Sequence, residues 1–142
     1  QALESQDLPT VLERIADQLT AETGISSKVE VIGTPYRLSQ TTEGELLRIG
    51  QQGITNALRH AGATMIDLQL IYLPQKFTLI VHDDGRGFDT QQDQGSGFGM
   101  KSMNERADRI QANLQINSTT DEGTNIVCTL MTNDGGRTTN TS

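Results

Sequence analysis

Apolar residues recur along this chain with two distinct periods. After Asp7-Leu8-Pro9, the residues Leu12, Ile15, Ala16 and Leu19 repeat at helical spacing, which predicts a first helix closed by Gly24. Lys28 to Ile32 alternates instead and reads as a short strand. Thr42-Glu43-Gly44-Glu45 has the form of a capping box ahead of a long helix that runs to His60-Ala61-Gly62. On that helix Leu46, Leu47, Ile49, Ile54, Ala57 and Leu58 take one broad face. Gln52, Asn56, Arg59 and His60 fall within an arc of about 100° opposite it. Met65–Leu73 and Lys76–Val81 read as strands around a tight turn at Pro74-Gln75, and a third helix is expected from about Phe98 to Ile110. Strands near Leu114–Asn117 and Thr124–Met131 follow. Three helices and five or six strands in this order predict an α+β domain, with the helices packed on one face of a mixed sheet.

The composition narrows this picture. A chain of 142 residues forms one domain with a real core, expected over residues 1–131, and the polar residues 132–142 are expected to be a disordered tail. Aromatic residues make up only 4% and Trp is absent, so the core is expected to be aliphatic. Cys128 lies in an alternating apolar run and reads as a buried core thiol. A net charge of −7 argues against nucleic acid or an anionic membrane as the main partner. No stretch approaches the roughly 20 apolar residues of a membrane span, and nothing has the form of a signal peptide, so a cytoplasmic location is expected. The chain starts without Met, and a longer parent protein is the expectation.

Two glycine clusters carry the chemistry. Asp83-Asp84-Gly85-Arg86-Gly87-Phe88 ends an apolar strand on a carboxylate, and Gly95-Ser96-Gly97-Phe98-Gly99 precedes a helix. A carboxylate accepts from the exocyclic amine of adenine, and bare backbone N–H groups at a helix start meet phosphate oxygens. An Asx-type turn is the plainer reading of Asp83, and ordinary strand filler that of Thr124. The same strip on the long helix adds Asn56, whose amide oxygen suits Mg²⁺, with Arg59 and His60 beside it. Gly50 and Gly53 inside this helix each cost about 1 kcal/mol relative to Ala, which implies close packing. Lys101 and Arg106 can add charge, although Arg106 reads first as an ion-pair residue with Glu105 or Asp108. With so acidic a chain, a polyphosphate must be met by Mg²⁺, main-chain amides and a few local cations. The segment from Asp84 to Ser96 has the length of a lid, and Asp89 to Ser96 is expected to be mobile without nucleotide.

Taken together, Arg48–Ala63, Val81–Asp89, Gly95–Ala107 and Asp121–Ile126 resemble the N, G1 and G2 boxes and terminal Gly-Thr of the GHKL ATPase superfamily. The resemblance is strongest to the catalytic domain of sensor histidine kinases of the nitrate/degradation-regulator type and spans roughly Leu8 to Met131. It implies the Bergerat fold, a two-layer α/β sandwich with three helices on one face of a mixed five-stranded sheet. ATP and Mg²⁺ are the implied cofactors, with γ-phosphoryl transfer to a histidine on a dimerisation helix and a response regulator downstream. Nucleic acid and direct membrane contact are not implied. Asn56 is then the Mg²⁺ ligand, Arg59 and His60 line the phosphates, and Asp83 reads adenine. Gly85 and Gly87 shape the base pocket, Gly97, Phe98, Gly99 and Met100 face the phosphates, and Thr124 supports Asp83. The catalytic positions fall on Gln52 and His60. There are two departures from the family pattern. Gln52 stands where Glu is usual and cannot take a proton, and Gln111-Ala112 stands where Gly-Gly is frequent. Only His60 and His82 are present, and neither sits in the context of a phosphoacceptor. Gln52 leaves open a nucleotide-binding switch with weakened catalysis, and the shared boxes leave open an anti-sigma-factor serine kinase.

Overall fold

The computed structural model describes residues 6–86, 99–118, 123–133 and 137–138. Helix α1 (Leu8–Thr20) starts at Asp7, whose carboxylate accepts the Thr10 N–H at 3.0 Å, with Pro9 in the first turn where no N–H is missed. Strand β1 (Ser26–Gly33) leads by an extended strap to α2 (Gln40–Asn56), which ends in a π-helical turn, Ala57–Ala61. Then come β2 (Met65–Leu73), β3 (Lys76–Asp83), α3 (Met100–Arg109), β4 (Asn113–Ser118), β5 (Thr124–Asn133) and the short β6 (Arg137–Thr138). The main sheet runs β1-β2-β3-β5-β4, with β1 parallel to β2 and the other neighbours antiparallel; β6 pairs with the end of β5. This is the expected α+β sandwich with a mixed sheet.

The alternation in β2 decides which face is covered. Ile66, Leu68, Leu70 and Tyr72 are buried, while Met65 and Leu73 are exposed. Phe77, Leu79 and Val81 continue the same inner face on β3, and Ile126, Cys128 and Leu130 on β5. All three helices pack there, through Leu8 and Leu12 of α1, Leu46, Ile49 and Ile54 of α2, and Met103 and Ala107 of α3. The core is aliphatic as expected, apart from Phe77 and an edge-to-face pair of Tyr72 on Phe77 at 4.9 Å. Cys128 is buried, which pushes its thiol pKa up to about 12. The two glycines inside α2 let it lie close on its neighbours. A Cβ on Gly50 would come within 2.9 Å of Leu12, and one on Gly53 within 2.9 Å of Val81 and 3.1 Å of Ile126.

Three expectations shift. The N-cap of α2 is Ser39, which accepts from Thr42 N–H at 3.1 Å, so the capping box at Thr42-Glu43-Gly44-Glu45 is not used. Glu43 instead folds into the interior against Arg37 and the Leu38 N–H. The expected domain edge at residue 131 falls inside β5, which runs to Asn133 because β3 and then β6 pair with it. Finally, Gln111 sits at φ 56° in the left-handed region. Its N–H bonds to the Asp108 carbonyl at 3.1 Å and that of Ala112 to Ala107 at 2.9 Å, a complete Schellman closure of α3. Glycine occupies that place without the Cβ clash, so Gln111→Gly is expected to stabilise the protein by about 0.5–1 kcal/mol. Urea unfolding checks it; a loss of stability would mean that the Gln side chain makes a compensating contact.

Candidate functional site

The site is built where α2 meets the start of α3. Gly50 lies against Leu79 and Gly53 against Val81, so α2 advances along β3, and Asp83 comes level with the end of the helix. The polar strip of α2 therefore runs back from that level, away from Asp83. A cleft of about 350 Å³ opens along it, lined by Arg48, Gln51, Gln52, Thr55, Asn56 and Arg59 from this helix, with Gly99 and Arg106 from the other side. Among the described residues, three guanidiniums and no carboxylate line it, in a chain of net charge −7.

Gly99 is the N-cap of α3 at φ 69°, a backbone that glycine adopts without strain. A Cβ there would lie 2.7 Å from the Gln52 side-chain nitrogen, so the start of α3 seats directly on Gln52. Among the described residues no side chain caps α3, and its first-turn amides are left for another acceptor. The Met100 side chain is buried in the core, so this residue can serve a ligand only through its backbone. Gln52 Oε1 is buried without a hydrogen-bond partner among the described residues, and Arg106 Nε is in the same state.

Asp83 is 5% exposed and accepts the Gly85 N–H at 2.9 Å, the Asx-type turn of the plainer reading. Burial raises its pKa from the ordinary 3.8, partly offset by that hydrogen bond. Next to it Asp84 ties the turn to β2. Its carboxylate accepts from Thr64 N–H and Oγ1–H, at 2.8 and 2.6 Å, and from Met65 N–H at 3.0 Å, and these bonds hold its pKa low. Thr124 stands across the ladder from Asp83, but its hydroxyl pairs with Ser118 at 2.8 Å. Gly123 before it has φ 80°, and a Cβ there would overlap the Asp83 carbonyl oxygen. Buried Asp83 thus sits in a wall of close-packed backbone.

The structure brings Gln52, Asn56, Arg59 and Gly99 to one cleft and places Asp83, Gly85 and Thr124 together at the adjoining end of the sheet. Asp83 is not among the cleft-lining residues. Gly87, Gly97, Phe98 and the lid segment Asp89–Ser96 lie outside the described residues, as does the side chain of His60. Arg106 pairs not with Glu105 or Asp108 but with Glu45 of α2, at 3.0 Å, because α3 turns that side chain toward the helix beside it. Arg48, Gln51 and Thr55 also line the cleft, and sequence reasoning missed them. Extending the four-residue spacing of Asn56 and Gln52 one step back would have found Arg48.

Comparison with known proteins agrees with this architecture. Residues 41–134 match the family model of histidine kinase-, DNA gyrase B- and HSP90-like ATPases. The chain is 28% identical over 129 residues to the signal transduction histidine-protein kinase/phosphatase DegS of Brevibacillus brevis, covering 91% of this chain and 33% of that protein. To a sensor-like histidine kinase of Chloroflexus aurantiacus it is 34% identical over 133 residues, covering 87% of this chain and 22% of the other. The chain thus spans a third or less of the length of these relatives. Among solved structures, the catalytic domain of histidine kinase ThkA superposes with a TM-score of 0.71 at 10% identity, over 92% of this chain and 91% of that one. The mycobacterial sensor histidine kinase MprB does so at 0.65 and 19% identity, over 89% and 95%. These two likenesses concern the fold. With the family model matched over more than half of its length, the chain belongs to the histidine kinase-, DNA gyrase B- and HSP90-like ATPases.

Proposed function

We propose that this chain is the ATP-binding catalytic domain of a sensor histidine kinase, which presents the terminal phosphoryl group of Mg²⁺-ATP to a histidine on a separate dimerisation helix. A response regulator then takes the phosphoryl group, and the domain works in the cytoplasm. The observation that carries this reading is the cleft that among the described residues is lined by three arginines and no carboxylate, and that ends at the level of the buried Asp83. The residues present fit the nucleotide. Gly99 brings backbone against Gln52 where a Cβ would clash with its side-chain nitrogen, the first-turn amides of α3 have no side-chain cap among the described residues, and three guanidiniums line the cleft.

In this reading Asp83 accepts from the adenine amine through the oxygen that Gly85 does not use, and Gly85 and Gly87 shape the base pocket. Thr124 holds the wall behind Asp83 through Ser118. Asn56 ligates the metal, while Arg59 and His60 flank the phosphates. The first-turn amides of α3, with Gly97, Phe98, Gly99 and Met100, cradle the phosphate oxygens. Bound Mg²⁺ neutralises charge on the phosphoryl oxygens. Gln52 keeps its neutral amide in the cleft and takes no proton. The switch and serine-kinase alternatives gain no support from relatives that carry histidine-kinase names.

Calorimetry tests the reading. ATP is expected to bind at least tenfold more tightly than GTP, because the guanine O6 would face the Asp83 carboxylate. Equal affinities would end the base-recognition role. Removing Mg²⁺ with a chelator is expected to weaken ATP markedly and adenosine little; an equal effect on both would remove Asn56 as a metal ligand.

A further inference from the structure

The two buried polar atoms without a partner among the described residues, Gln52 Oε1 and Arg106 Nε, belong to residues that line the same cleft. Arg106 lies on the second turn of α3 and is fixed from outside, its Nη1 donating to Glu45 Oε1 at 3.0 Å. The other oxygen of Glu45 accepts from Arg109 Nη1 at 3.4 Å, so one carboxylate serves two guanidiniums and an excess positive charge remains. Nε is shut off from solvent, so a ligand in the cleft meets Arg106 through its other guanidinium N–H groups, and an anion is the acceptor that suits them best. Gln52 is neutral: its oxygen, unpartnered among the described residues, is an acceptor that suits Arg106 Nε–H, but it brings no charge to offset the guanidinium.

Position along α2 says which part of a ligand arrives there. Asp83 is level with the end of α2, and Gln52 lies about 6 Å back along the axis from Asn56 at 1.5 Å per residue. A nucleotide whose base meets Asp83 lays its phosphates back toward Gln52, and Arg106 stands beyond. We infer that Arg106 is the residue that recognises the terminal phosphoryl group, so that the cleft distinguishes a nucleoside triphosphate from a diphosphate. This rests on the ATP reading above. Glu45 tethers Arg106 at Nη1 from the side of α2, and the neutral carboxamide of a Gln in its place can still accept that N–H.

The test is calorimetry of the whole chain with Mg²⁺-ATP and Mg²⁺-ADP, for the wild type, Arg106→Gln, Arg106→Lys and Glu45→Gln. Arg106→Gln is expected to lower the ATP-to-ADP affinity ratio at least fivefold, with ADP affinity changed less than twofold. Arg106→Lys can still pair with Glu45 but lacks the planar, many-donor guanidinium, and is expected to lower the ratio in the same direction, which covers the case that Arg106→Gln does not fold. Glu45→Gln breaks the same ion pair yet keeps the guanidinium, and is expected to change the ratio less than twofold. An unchanged ratio in both Arg106 variants overturns the inference, as does an equal fall in Glu45→Gln, which would mark a purely structural tie. A wild type that binds ATP normally while the ratio stays fixed leaves the ATP reading standing; a wild type that binds neither nucleotide sinks both.

Discussion

Replacing Asp83 with Asn is expected to weaken ATP binding at least tenfold while making the nucleotide-free protein more stable at neutral pH. The two effects have one cause. Asp83 is buried, and burial raises its pKa above the ordinary 3.8, so the folded protein holds the ionised form at a cost. A group whose pKa is raised on folding favours the folded state while protonated. That contribution is lost as pH rises from the unfolded value through the folded one. An Asn side chain in its place carries no charge, and its oxygen can keep the Gly85 N–H. The stability difference between variant and wild type is therefore expected to be positive at pH 7 and to shrink toward zero as pH falls below the ordinary carboxylate value. The binding loss follows from geometry. With the oxygen engaged by Gly85, the Asn amide presents NH₂ to an adenine amine, donor against donor. A tenfold loss is about 1.4 kcal/mol, within the range for an unpaired buried polar group. Thermal unfolding between pH 3 and 8, beside calorimetry with ATP, measures both. Unchanged ATP affinity would exclude Asp83 from the base site, and a less stable variant at pH 7 would exclude the buried-charge cost.

Arg37→Ala is expected to cost about 3 kcal/mol of stability, the largest effect of a single substitution far from the cleft. Glu43 is 1% exposed on the first turn of α2, and among the described residues its carboxylate is met only from the strap that precedes the helix. Arg37 donates through Nη2 at 2.8 Å and through Nε at 3.1 and 3.2 Å, and Leu38 N–H adds 3.1 Å. Removing Arg37 leaves a buried carboxylate with one main-chain donor. Orphaning a buried charge costs about 3–5 kcal/mol, and the lower end applies because Arg37 is half-exposed and water can enter its place. Arg37→Ala combined with Glu43→Gln should cost less than the sum of the two, since the second change removes the stranded charge. Urea unfolding of the two single variants and the pair gives the coupling. A loss below about 1 kcal/mol for Arg37→Ala would show that Glu43 is satisfied without it.

Much of this architecture could be read from local pattern. The bounds of β2, the turn at Pro74-Gln75 and the glycine-mediated approach of α2 to its neighbours follow from residues close in sequence. Alternation and helical repeat assign faces, and Gly is the residue that a close approach requires. The same logic places Gln52, Asn56 and Arg59 on one strip, which lines one cleft. Local pattern does not choose Ser39 over Thr42 as the cap, because both have a side-chain oxygen that can accept from the first turn. The choice is made by the strap, which Tyr36 anchors through its hydroxyl on the Leu73 carbonyl and Arg37 through Glu43. Nor does it give the π-helical turn after Asn56, or the left-handed Gln111.

The amino-acid order by itself determined the elements, their buried faces and the succession of carboxamide, acid and glycine positions, since each depends on periods of two to four residues. Only the tertiary structure decided that Arg106 would find Glu45 across the α2–α3 contact, that Thr124 would stand opposite Asp83, and that Gly99 would seat on Gln52. Those pairings join residues tens of positions apart, and they are set by how the helices dock on the sheet and how β3 and β5 align. No local repeat carries that information.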